Sequence, residues 1–146
     1  MVNTVTEDAD LAGLALGITA RSVRELLALR ACICPRRPAH SSADGSRTVT
    51  YADLAAEAEG WRGRLDEAGA SRDVRVGLRL GEPLEFAGAF LSLLAAGRTV
   101  VPLDPDAPAA EVGPMVRRLD LDLMLDDDGL AEVAPPRRRP RCESGP

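Results

Sequence analysis

The chain has 146 residues and is 45% hydrophobic but only 3% aromatic, so a core must be built from Leu, Val and Ala. This length suffices for one domain with a real core. The formal net charge is −5, and acidic residues and arginines are interspersed along the chain, which argues against a nucleic-acid-binding surface.

No apolar run reaches the roughly 18 residues of a membrane span. All 18 basic residues are arginines, because the sequence contains no lysine. Three scattered cysteines favour reduced thiols in a cytoplasmic protein over a disulfide framework.

The two ends of the chain differ from its middle. Residues 1–20 lack the layout of a signal peptide and are expected to form a mobile leader. Residues 131–146 are rich in Pro and Arg and have no periodicity, which predicts a disordered tail. This tail either serves anionic partners or is a non-native end after a frameshift or truncation, and we favour the second interpretation. The folded domain is therefore expected within residues 21–130.

The first predicted helix begins after Ser22. Ser22 and Glu25 have the spacing of a capping box, and apolar residues recur at helical spacing through Ile33. Residues 39–46 are polar and are predicted to form a loop. His40, the only histidine, has no partner in the sequence and is expected to be exposed there rather than to act as a catalytic base.

A short strand, Arg47 to Thr50, leads into the second predicted helix. Thr50 can cap this helix, with Asp53 at the third helical position. Gly69 is a natural stop. Five residues at helical spacing predict one buried face: Leu54, Ala58, Trp61, Leu65 and Ala68.

The next two elements are a strand and a strongly apolar helix. Alternation over Val74 to Leu80 predicts a strand with one buried face. Its arginines, Arg75 and Arg79, conflict with a position inside a parallel sheet, where both faces are covered. The helix from Leu84 to Ala96 is apolar almost all round and therefore needs protein on most sides.

A helix-to-strand joint follows at residues 94–105. Gly97 suits the left-handed position that ends helices, and the β-branched run Thr99 to Val101 predicts a strand that Pro102 ends. A further helix is expected over Ala109 to Leu119. Pro114 is compatible with it only if the helix starts late or bends.

The last predicted strand carries Leu121, Leu123 and Leu125 and ends at three aspartates, residues 126–128. This acidic run is predicted to be a solvated turn rather than a cation site, since it lacks the spacing of a calcium loop. Helices and strands thus alternate, which predicts an α/β fold of βα units with a mainly parallel sheet and flanking helices.

Two segments carry a family resemblance. Residues 49–54, Val-Thr-Tyr-Ala-Asp-Leu, and residues 94–105, Leu-Ala-Ala-Gly-Arg-Thr-Val-Val-Pro-Leu-Asp-Pro, resemble the first two signature motifs of the adenylate-forming enzymes. That superfamily includes acyl-CoA synthetases and the adenylation domains of nonribosomal peptide synthetases, and the likeness is greatest to the latter. It implies that the domain is a partial N-terminal subdomain of the adenylate-forming fold. The residues that match the motifs are Thr50, Tyr51, Leu54, Gly97, Pro102, Leu103, Asp104 and Pro105.

The resemblance also implies a reaction, the activation of a carboxylate by ATP and Mg to an acyl-adenylate. The family's third motif, a Gly/Ser/Thr-rich phosphate loop ending in lysine, is not found in this sequence. We therefore assign no catalytic, cofactor-binding or metal-binding residue and expect the chain to be inactive and to bind no cofactor alone. The expected partners are a separately encoded C-terminal adenylation piece or a synthetase, and neither nucleic acid nor a membrane. Alternatively, the chain is a non-catalytic module that docks on a peptide synthetase.

Overall fold

The computed structural model describes residues 20–133. In chain order the elements are α1 (Val23–Ile33), β1 (Pro38–Ser41), β2 (Thr48–Thr50), α2 (Tyr51–Glu67), β3 (Arg75–Arg79), α3 (Pro83–Ala95), β4 (Thr99–Pro102), α4 (Ala109–Leu119), β5 (Leu123–Asp126) and β6 (Gly129–Glu132). The strands β1 and β6 are not expected from the sequence, and each pairs antiparallel with the strand next to it in the chain.

The main sheet has the strand order β4-β3-β5-β6. β3 pairs parallel with both β4 and β5, whereas β6 pairs antiparallel with β5. The prediction of an α/β fold with a mainly parallel sheet and flanking helices is therefore confirmed. The strand β6 crosses residue 130, where the sequence predicts the end of the folded domain. The predicted leader and most of the predicted tail lie outside the described residues.

The predicted loop at residues 39–46 is partly wrong. Pro38–Ser41 form β1, which pairs with β2, and only the tip of this hairpin is a turn. His40 therefore lies in a strand rather than in an exposed loop. It is half-buried, and both of its ring nitrogens are shielded from solvent.

The strand β3 is covered on both faces, so the prediction of one buried face is wrong. Val76, Gly77 and Leu78 are all buried. Val76 and Leu78 pack in the larger apolar cluster, whereas Gly77 lies against the side chains of Leu121 and Met124. A Cβ atom on Gly77 would lie 2.7 Å from Cδ1 of Leu121, and glycine therefore permits the close approach of this segment. The conflicting arginines occupy the two ends of the strand, where they are only half-buried.

Two apolar clusters hold the helices to the sheet and to each other. The larger cluster lies between the sheet and the helices α2 and α3, and includes Trp61, Leu65, Leu78, Leu93 and Leu125. The smaller cluster joins α1, α2 and α3 through Leu27, Leu54, Ala58 and Ala95. The predicted stripe of α2 is confirmed at four positions, but Ala68 is exposed because it is already the C-terminal cap.

The helix α4 packs more loosely than the others. It begins at Ala109 and contains Pro114 in its interior, so the helix does not start late. None of its residues is fully buried, and Met115, Val116 and Leu119, which were expected to face inward, are half-buried. Its C-terminal carbonyl at Leu119 accepts a hydrogen bond of 3.0 Å from Nη1 of Arg75.

The helices within residues 20–133 are all too short or too polar to cross a lipid bilayer.

Candidate functional site

The first motif forms the entry to α2. The backbone amide of Asp53 donates to Oγ1 of Thr50 at 3.2 Å, and the backbone amide of Thr50 donates to Oδ2 of Asp53 at 3.1 Å, so the predicted capping box is confirmed. The Thr50 hydroxyl also donates to Oδ2 at 2.6 Å. These bonds, chiefly the one from the hydroxyl, lower the pKa of the Asp53 carboxyl. The aspartate at the third helical position therefore completes the cap.

The other residues of the first motif anchor the helix. The amide of Tyr51 donates to the carbonyl of Arg37 at 3.1 Å, which ties the helix start to the segment before β1. Leu54 is 1% exposed and belongs to the same cluster as Ala95, near the end of α3. These residues of the first motif therefore hold α2 in place.

The second motif turns the chain from α3 into β4. Gly97 has φ +76° and its amide donates to the carbonyl of Leu94 at 2.9 Å, while the amide of Arg98 donates to Leu93 at 3.1 Å. These are the bonds of a helix ending on a left-handed glycine. β4 then runs to Pro102, as predicted, and the amide of Leu103 continues the ladder to Leu78 at 2.8 Å.

The loop after β4 is held by Arg79, at the carboxyl end of β3. Its Nη2 donates to the carbonyls of Pro105 at 2.8 Å and Ala107 at 2.9 Å, and its Nε lies 3.4 Å from the carbonyl of Asp104. The side chain of Asp104 accepts from the amide of Asp106 at 2.9 Å. The arginine that conflicted with a buried strand therefore positions the end of the second motif.

This loop lies at the edge of the sheet where ligands commonly bind. The carboxyl ends of β3, β4 and β5 meet there, and open α/β sheets bind ligands outside the carboxyl ends of their strands. Arg79 pairs in register with Asp126 of β5, whose Oδ1 accepts from the amide of Asp128 at 3.0 Å. Asp126 thus serves its own turn, whereas Arg79 serves the loop that follows β4.

The second motif contains a buried arginine, Arg98, to which the sequence assigned no role. The side chain of Arg98 is 2% exposed, and its Nη2 donates to Oδ1 of Asp66 on α2 at 2.9 Å. Asp66 also lies 3.6 Å from Arg62, which binds Glu59 at 2.6 Å. Glu59 in turn lies 3.1 Å from Arg24 on α1.

This chain of alternating charges joins α1, α2 and the start of β4. The hydrogen bond from Arg62, aided by the charge of Arg24, holds the pKa of Glu59 below its ordinary value. The outer pairs are exposed and contribute little to stability, whereas the pair of Arg98 and Asp66 has one buried partner. No signal in the sequence links these two residues, because they are 32 positions apart.

The described residues do not fit a bound ATP–Mg complex by themselves. In residues 20–133, no three His, Cys, Asp or Glu side chains are arranged to hold a metal ion. Arg79, which holds the end of the second motif, already donates to backbone carbonyls, and Arg98 within the motif pairs with Asp66. We therefore derive no catalytic step through ATP from this part of the chain.

Comparison with protein families gives one match. The model of the AMP-binding enzyme family matches residues 29–144. Among curated proteins, syringomycin synthase SyrB1 of Pseudomonas syringae pv. syringae is 35% identical over 105 residues, which is 72% of this chain and 17% of that protein. Surfactin synthase subunit 2 of Bacillus subtilis is 34% identical over 82 residues, or 56% of this chain and 2% of that protein.

Solved structures give the same fold. IdnL1 matches with a TM-score of 0.67 and 25% identity over 85% of this chain and 25% of its own. The NpsA N-terminal subdomain of Klebsiella oxytoca, solved with 3-hydroxyanthranilyl-AMSN, has a TM-score of 0.64 at 19% identity and covers 75% of this chain and 28% of its own. The chain therefore spans less than a third of the length of these relatives.

Proposed function

Because the chain belongs to the AMP-binding enzyme family, we propose that it supplies the first structural unit of an adenylate-forming synthetase and does not form adenylates alone. The reaction of the complete enzyme would be the activation of a carboxylate with ATP. Mg-ATP, which the described residues do not fit, would be bound by parts of the fold that the chain does not itself provide.

The proposal rests on the structural roles of the motif residues. Thr50 and Asp53 cap a helix, Leu54 lies in the core, and Gly97 ends a helix. Arg79 is engaged by the loop at Asp104 to Ala107. These roles position a scaffold, while transfer to ATP phosphates needs cations and donors aimed at the developing charge.

The sequence supports the same proposal. Phosphate cradles of this chemistry combine a glycine-rich loop with a lysine, and the printed sequence contains neither such a loop nor a lysine. Its relatives among the synthetases are several times longer than the matched region. We propose a separately supplied C-terminal adenylation piece as the partner.

A second candidate function is a non-catalytic module that docks on a peptide synthetase. The outer edge of β4 favours it, because within residues 20–133 β4 is a terminal strand of the main sheet and pairs only with β3. Exposed strand edges are ready templates for pairing with another chain. In this case the chain would bind a synthetase without restoring or changing its adenylation activity.

One experiment separates the two functions. The chain is assayed for ATP–pyrophosphate exchange with a panel of amino and aryl acids. It is assayed alone and mixed with an adenylation domain of a relative that lacks the region matching residues 29–144. Exchange only in the mixture supports the first function, and binding without exchange supports the second. Exchange by the chain alone refutes its inactivity.

We place this function in the cytoplasm, where ATP is available. Cys32 and Cys34 are free thiols, which is the expected state in a reducing compartment.

A further inference from the structure

A cleft of about 250 Å³ lies between the β1–β2 hairpin, α2 and α3, away from the loop that Arg79 holds. Its walls are largely apolar and include Leu80, Leu84 and Ala89. The only tryptophan of the chain, Trp61, also lines it. We refer to this site as the Trp61 cleft.

The Trp61 cleft contains a carboxylate that the protein does not neutralise. Glu57 is half-buried and lines the cleft, and within residues 20–133 it makes no hydrogen bond or ion pair. The one cation of the lining, Arg47, lies 3.5 Å from Glu82 and 3.8 Å from Glu85. Arg47 is therefore already paired with two carboxylates, and the lining retains a negative charge.

His40 also lines the cleft, but both of its ring nitrogens are shielded from solvent and have no hydrogen-bond partner in the described part of the chain. A ligand in the open cleft therefore does not reach them. The carboxylate of Glu57 remains for the ligand, and a carboxylate forms its strongest hydrogen bonds with a cation rich in N–H donors.

Space around Glu57 is kept open by Gly88 of α3. A Cβ atom at position 88 would lie 3.2 Å from Oε2 of Glu57, too close for an unshifted carboxylate. The apolar walls of the cleft suit a hydrocarbon stem, as the stems of Lys and Arg bury along apolar surfaces while their cations stay paired or hydrated.

We propose that the Trp61 cleft binds an aliphatic cation, an alkylguanidinium or alkylammonium group. The stem lies between the apolar walls and the cation pairs with Glu57. This site is independent of the adenylation proposal, since no residue of its lining belongs to the motif loop.

The test uses the full chain and the fluorescence of Trp61, which is 9% exposed and lines the cleft. The probe is N-butylguanidinium, and the matched control is N-butylurea, which has the same shape but no charge. We expect a saturable fluorescence change with the cation and at least about tenfold weaker binding of the urea. Equal responses to both, or no saturable response to the cation, would overturn the proposal.

Variants locate the binding. Glu57→Gln removes the charge at the cleft and should weaken binding about tenfold. Glu67→Gln removes the same charge from an exposed position of α2 and should leave binding unchanged. If Glu57→Gln does not fold, Gly88→Ala provides a second variant, because its methyl group displaces the carboxylate and should also weaken binding. Unchanged binding in the folded cleft variants would overturn the assignment.

The same chemistry can come from a free small molecule or from a polypeptide side chain. A capped peptide, acetyl-Gly-Arg-Gly-amide, is therefore titrated beside N-butylguanidinium. Tighter binding of the peptide assigns the site to an arginine of a partner chain, and tighter binding of the free cation assigns it to a small ligand. Failure of both to saturate would show that the cleft is not a cation site.

Discussion

Replacement of Arg79 by methionine tests the link between β3 and the second motif. Methionine retains an apolar stem of similar length but removes all donors to the loop at Asp104 to Ala107. A hydrogen bond from a charged group contributes about 1.5–3 kcal/mol to stability when it is buried. Of the three bonds, the one to Ala107 is part-buried, the one to Pro105 is exposed, and the third is long, 3.4 Å.

The expected loss of unfolding free energy comes mainly from the hydrogen bond to Ala107, and the bond to Pro105 contributes less. We expect Arg79→Met to lower the free energy of unfolding by about 2 kcal/mol and the melting temperature by roughly 8 °C. The assay is urea unfolding followed by circular dichroism, with hydrogen exchange at the amide of Ala107, which donates to Asp104. That amide should exchange faster in the variant.

The control for this prediction is Arg72→Met, which removes an exposed arginine that makes no hydrogen bond or ion pair within residues 20–133. It should change the free energy of unfolding by less than about 0.5 kcal/mol. Equal stabilities of the two variants, or unchanged exchange at Ala107, would refute the positioning role of Arg79.

Three further variants test other parts of the fold. Asp66→Asn leaves the buried guanidinium of Arg98 without its counter-charge and should cost about 2 kcal/mol in urea unfolding; an unchanged midpoint would show that the pair is not needed. Gly77→Ala places a methyl group 2.7 Å from Leu121 and should cost about 1–3 kcal/mol, measured in the same way; a neutral effect would mean that the segment shifts freely. Hydrogen bonds, chiefly from the Ser42 hydroxyl, lower the pKa of Asp44 to about 2, so its stabilising contribution is present at neutral pH and is lost as pH falls from about 4 to 2. Asp44→Asn should therefore flatten the acid limb of the stability profile, and an unchanged limb would contradict this.

Local chemistry made α2 predictable. Its cap, its apolar spacing and its stop at Gly69 are all encoded within about 20 adjacent residues, and the structure departs from the prediction only at Ala68. The helix-to-strand joint at Gly97 is predictable for the same reason. A left-handed glycine ends the helix, and the β-branched run that follows forms the strand. The α/β class followed from the order of such elements.

The two missed strands show where periodicity fails. β1 is the sequence Pro-Ala-His-Ser, which is too short and polar to show an alternating pattern, and it forms only because β2 pairs with it. β6 does carry a local signal. Asp127 and Asp128 link Asp126 to its partner Gly129, and Asp at the first and Gly at the fourth position of a turn are typical of a type I β-turn.

The side chains of greatest interest could not be placed from the sequence. Arg79 was read as a conflict because its acceptors, the carbonyls of residues 104, 105 and 107, lie on another loop. His40 was expected in solvent because its burial depends on α3, which lies more than 40 positions later. Such roles depend on the tertiary arrangement, and spacing in the sequence carries no information about them.

The central claim is that this chain is a scaffold unit that needs a complement for adenylation. ATP–pyrophosphate exchange, measured for the chain alone and for the chain mixed with an adenylation domain lacking the matching region, tests it most directly. We expect no exchange above background from the chain alone and carboxylate-dependent exchange from the mixture, reduced when the chain carries Arg79→Met. Exchange by the chain alone, or a mixture that stays inactive although its two parts bind each other, would contradict the claim.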